Sequence, residues 1–84
     1  MTIDISIQFQ TGDRVYYLYT DKNGVPIKFA AIILAQQADG ILIRVGRYDV
    51  HTRDVSTFES VVARSTLRPR SVPCSYEDEL TGQA

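Results

Sequence analysis

Few residues of this 84-residue chain have the type and spacing for chemistry. The single histidine, His51, lies in Asp49-Val50-His51-Thr52-Arg53-Asp54, and on an extended strand Asp49, His51 and Arg53 share a face. An imidazole beside a carboxylate could pass a proton or help hold a metal. A metal needs three or four ligands, however, and this trio offers two together with an arginine. The segment therefore reads as a solvated loop tip, with no metal site. Cys74, the one cysteine, would be a nucleophile only beside a base or a positive field that lowers its pKa. Between Pro73 and Ser75, and ahead of acidic residues, it has neither in sequence and reads as an inert thiol. Glu77, Asp78 and Glu79 could form a general acid and base pair, but adjacent carboxylates on a chain end are ordinarily solvated. There is no Ser-His-Asp pattern and no glycine loop that would cradle phosphate. The expectation is a protein that is not an enzyme and carries no cofactor.

Two sets of side chains remain, and both point to binding. Tyr16, Tyr17, Tyr19, Phe29 and Tyr48 offer rigid contact area at low entropic cost, which suits a face for a protein or peptide partner. Arg44, Arg47, Arg64, Arg68 and Arg70 supply the alternative, because arginines track a nucleic-acid backbone while a nearby Tyr16 or Tyr48 stacks a base. The net charge of −1 conceals this second set: residues 1 to 42 carry −1, residues 43 to 70 carry +3, and residues 71 to 84 carry −3. A sequence pI of 5.6 weighs against nucleic acid, and Asp49, Asp54 and Glu59 could neutralise the arginines across strands. The acidic end could also fold back over Arg68 and Arg70 and compete with an anionic ligand.

These side chains must be positioned by strands. Residues 3 to 9 alternate Ile3, Ile5, Ile7 and Phe9 with polar residues, the period of a half-buried strand. Arg14 to Tyr19 follows, with Val15, Tyr17 and Tyr19 on one face and Arg14, Tyr16 and Leu18 on the other. After the Asp21-Lys22-Asn23-Gly24 turn comes the most apolar stretch, Ile27 to Val45, a hairpin turning at Ala38-Asp39-Gly40. In its first strand Phe29, Ala31, Ile33 and Ala35 alternate with Ala30, Ile32 and Leu34, so both faces are apolar and both need cover. The cover could be residues 1 to 9, the C-terminal segment or a second copy, and a homodimer through the Phe29–Ala35 strand is the third functional reading, a small homo-oligomeric structural protein. The second strand is one-sided, with Ile41, Ile43 and Val45 inward and Arg44 and Gly46 outward. Thr57 to Ala63 predicts another strand, Arg64-Ser65-Thr66 a tight helical turn, and Leu67 to Arg70 an edge strand limited by Pro69. Ser75 with Asp78 three residues on has an N-cap pattern for a short helical turn over Ser75 to Leu80, which Thr81-Gly82-Gln83-Ala84 behind it would fray.

Five to six short antiparallel strands separated by turns define an all-β fold of small-barrel type. Phe9-Gln10-Thr11-Gly12-Asp13-Arg14-Val15, then Ala31-Ile32-Ile33, then Ile41 to Val45, then Val62 and Leu67-Arg68-Pro69, resemble in order and spacing the SH3-like barrels of the Tudor and Agenet type. The resemblance covers residues 9 to 70. It implies an aromatic cage for methylated lysine or arginine, with Phe29 at a cage position, Lys28 standing where a neighbouring aromatic belongs, and Tyr48-Asp49 in the loop that supplies another wall. Gly12-Asp13-Arg14-Val15 also resembles the opening of the small plasmid-type dihydrofolate reductases, although their Val-Gln-Ile-Tyr segment has no counterpart here.

Length limits what such a fold can hold. A chain of this size buries only roughly 60% of its unfolded surface, which favours shallow recognition over a deep cavity. With 44% hydrophobic and 23% charged residues the composition is that of a globular domain. We expect a barrel over residues 1–70 and an acidic C-terminal tail over 71–84. The lone cysteine, the absence of a basic leader and the lack of a long apolar run predict a cytoplasmic protein that does not engage a membrane.

Overall fold

The computed structural model describes residues 9–82. They form β1 (Arg14–Thr20), β2 (Pro26–Gln37), β3 (Gly40–Tyr48), β4 (Val55–Val62), a 3-10 turn (Arg64–Thr66), β5 (Leu67–Pro69) and α1 (Glu77–Thr81). The strands make one antiparallel sheet in the order β4-β3-β2-β1-β5. This is a small all-β domain compatible with an SH3-like fold. The strand expected over residues 3 to 9 falls, Phe9 apart, outside the described residues.

The alternation of β1 and β3 produces the main core. Val15, Ala31, Ile33, Ile43 and Val45 are fully buried on the inner face, with Phe9, Ile41, Val62 and Leu67 closing its margins. The Ala38-Asp39 turn joins β2 to β3 as its sequence requires. Gly40 there has φ +155°, and a Cβ on it would lie 2.6 Å from the Val62 carbonyl oxygen, so only glycine lets β4 approach. One detail of β2 departs from simple alternation. The register slips between Ile33 and Ala35, so Leu34 is an extra residue and Ala35 shares the outer face instead of the inner one. The turn before β1 clasps this bulge, with Gly12 donating to the Ile33 carbonyl at 2.8 Å and Ile33 to the Asp13 carbonyl at 3.0 Å.

The outer face of β2 is covered by the C-terminal segment. Ala30 and Ile32 pack with the fully buried Leu80, flanked by Leu34, Cys74 and Tyr76. Gly46 makes this docking fit: a Cβ there would come within 2.6 Å of the Tyr76 ring and 2.8 Å of Leu80 Cδ2. The helical turn expected over Ser75 to Leu80 is observed as a helix over Glu77–Thr81. Ser75 makes no capping hydrogen bond, and the helix ends instead on Gly82 in the left-handed conformation, whose N–H donates to the Asp78 carbonyl.

Candidate ligand-binding face

The five aromatic side chains singled out in sequence divide among three places. Tyr17, Tyr19 and Phe29 share the inner face beyond the core, with ring centroids 6.3 to 6.5 Å apart. Their meeting follows from register, since Tyr17 lies directly opposite Phe29 and Tyr19 two positions along the same face of β1. Tyr16 is on the opposite face, where Lys28 Nζ lies 4.3 Å from its ring centre. Tyr48 is exposed at the end of β3 and stacks nearly parallel on Tyr76, at 6.1 Å. One aromatic of the inner face was not singled out. Phe58 of β4 is 45% exposed and, with Tyr17, Tyr19, Phe29, Arg47 and Ser60, lines an open cleft of about 400 Å³. Its signal was present in the alternation Phe58, Ser60, Val62.

The arginines do not form one basic surface. Arg70, expected to face outward, is 5% exposed. Its guanidinium donates to the carbonyls of Val15 (3.1 Å), Ala31 (2.9 Å) and Val72 (3.2 Å), and to both carboxylate oxygens of Glu77 at 2.6 and 3.2 Å. The cause is its place just after β5, where it reaches under the end of β1 and meets α1. Arg44 spans β3 and β4 to Glu59 at 3.1 Å and caps α1 through the Leu80 carbonyl. Arg64 lies over the Phe9 ring, and Arg68 donates to the Ser65 and Leu67 carbonyls. Arg47 alone of the five sits within the aromatic cleft.

Glu77 is the anchor of the C-terminal segment. It also accepts from the Cys74 N–H at 3.1 Å and lies 3.7 Å from Arg14 Nε. Burial pushes its carboxyl up, yet the hydrogen bonds from Arg70 and Cys74 outweigh that and hold its pKa below the ordinary carboxylate value. The same surroundings raise the Cys74 thiol pKa, through burial first and the hydrogen bond to Glu77 next, and burial raises the Tyr76 phenol pKa.

The loop of His51 also differs from an extended trio. Asp49 turns its carboxylate onto the N–H groups of His51 (2.8 Å) and Thr52 (3.3 Å), and Arg53 takes a left-handed φ of +60°. Asp49 is thus occupied in closing the turn. Among the described residues no cluster of three His, Cys, Asp or Glu side chains could hold a metal, and no helix is long and apolar enough to cross a membrane. Comparison with protein families, with characterised proteins and with solved structures returns no match to this chain.

Proposed function

We propose that the chain is a non-catalytic binding module which takes an extended peptide or protein segment in the cleft on the inner face of β1 to β4. The observation that carries this reading is the cluster around Arg47 of the exposed Tyr19 and Phe58 with Tyr17 and Phe29, which are half-buried against the core. Such a cluster offers apolar area on side chains that lose little freedom on binding. Arg47 gives the cleft one positive charge, which selects an acidic segment with an apolar or aromatic residue. The methylated cation of Tudor-type domains would meet that charge directly, so an acidic partner is the better fit. No nucleophile with an adjacent base lines the cleft.

The test is backbone amide NMR of the full chain, titrated with a short acidic peptide carrying a central phenylalanine and, separately, with a single-stranded oligonucleotide. The peptide is expected to shift Tyr19, Phe29, Arg47 and Phe58, and Tyr19→Ala or Arg47→Glu should weaken it by about tenfold or more. Shifts with the oligonucleotide alone, centred on Arg64 and Arg68 and fading with salt, would instead favour binding to a nucleic-acid backbone.

A further inference from the structure

The two edges of the sheet are unequal. On the β1 side the sheet ends with β5, three residues long and terminated by Pro69, a short edge of the kind that resists pairing. On the other side it ends with β4, eight residues reading Val-Ser-Thr-Phe-Glu-Ser-Val-Val, with no proline, no lysine and a single charge, Glu59. One edge of β4 pairs with β3 along its whole length. Among the described residues, no backbone group of β4 is hydrogen-bonded beyond that ladder. The strand also exposes apolar side chains on both faces, with Phe58 at 45% and Val61 at 40%.

An edge of this composition is a template for another strand. The sequence of β4 answers which strand fits. A two-fold axis normal to the sheet keeps like faces together, so a second β4 can pair antiparallel only in registers that set each residue opposite one of the same face. Centring the axis on Glu59 would bring two carboxylates face to face, which is destabilising. Centring it on Phe58 sets the two phenylalanines against each other, Thr57 against Glu59, Ser56 against Ser60 and Val55 against Val61. Every pair over Val55–Val61 in that register is then apolar with apolar or polar with polar, and Val62 lies beyond the paired segment.

We propose that this chain forms a symmetric homodimer by antiparallel pairing of β4 with β4 of a second copy, with the two-fold axis at Phe58, so that the two sheets become one. This surface is distinct from the Phe29–Ala35 strand, whose outer face is occupied by Leu80 and Tyr76. It shares Phe58 with the aromatic cleft, and its test reads mass and exchange of the chain alone, with no peptide present.

The experiment is sedimentation velocity of the full chain over a concentration series, with hydrogen exchange at the β4 amides. The expected result is a concentration-dependent monomer–dimer equilibrium in which the β4 amides that point away from β3 are protected in the dimer. Phe58→Asp, which sets two carboxylates at the axis, should halve the limiting mass while far-UV circular dichroism stays unchanged. A variant that perturbs folding less is Phe58→Cys in a Cys74→Ser background. Under mild oxidation it should give a covalent dimer, whereas Leu18→Cys in the same background, on the outer face of β1, should not. Three outcomes would overturn the proposal. One is a dimer that persists in Phe58→Asp, which places the contact elsewhere. Another is a monomer at every concentration in which the β4 amides that point away from β3 are protected, which assigns the edge to a segment of the same chain. The third is a monomer in which those outward amides exchange freely.

Discussion

Arg70 and Glu77 show how much a single pair of side chains can tie together. The guanidinium reaches β1, β2, the linker and α1 at once, and its partner carboxylate is held ionised within a partly buried site. Because the Glu77 pKa is lower folded than unfolded, its contribution to stability is complete above the ordinary carboxylate pKa of about 4.3. That contribution is lost as pH falls through the depressed folded value, because the unfolded chain takes up the proton first. Urea unfolding should accordingly show stability declining below about pH 4.5. Glu77→Gln is expected to be less stable at neutral pH by about 2 kcal/mol and to show a flatter acid limb. A variant as pH-sensitive as the parent would assign the acid limb to other carboxylates.

At the scale of elements, α1 shows what a five-residue helix needs in order to persist. So short a helix is unstable alone, so its stability comes from docking. Leu80 is the apolar part of that docking, enclosed by Ile32 and Ala30 with Tyr76 beside it. Leu80→Ala should lower the stability of the domain by about 2–3 kcal/mol in urea denaturation, whereas the exposed Asp78→Ala should change it by less than about 0.5 kcal/mol. Equal effects would mean that the helix contributes nothing to the fold. The sequence displays half of this arrangement. Ala30, Ile32 and Leu34 declare that β2 has a second apolar face, and the C-terminal segment is one of three covers it permits. Nothing local distinguishes them, since the complementarity of Gly46 to Tyr76 joins residues that only the folded sheet brings together.

For the molecule as a whole, the succession of strands and turns along the chain was legible because its causes are local, whereas the pairing of β1 with β5 across about fifty residues was not. Asp39-Gly40 turns the central hairpin, Val15, Tyr17 and Tyr19 share a face by simple alternation, and Pro69 ends a short edge strand. Side-chain destinations were less legible. Arg70 looks in sequence like Arg68, and only its position under β1 separates a buried ligand of carbonyl groups from an exposed cation. The aromatic face was legible in part: the sequence offers Tyr17, Tyr19 and Phe29 together with Tyr16 and Tyr48, and cross-strand register adds Phe58 and sets Tyr16 and Tyr48 apart.

The bonds of Arg70 also order events in time. They join it to Val15 and Ala31 across 55 and 39 residues of chain, so they can form only once β1 and β2 have paired and the distant end of the chain has returned to them. They are therefore expected to form on the native side of the folding barrier. In stopped-flow measurements Arg70→Met should raise the unfolding rate by roughly a factor of ten for each 1.4 kcal/mol lost and leave the refolding rate nearly unchanged. A matching fall in the refolding rate would place closure of the chain before the barrier instead of after it. Arg70 would thus set how long the native state lasts, with little effect on how quickly it is reached.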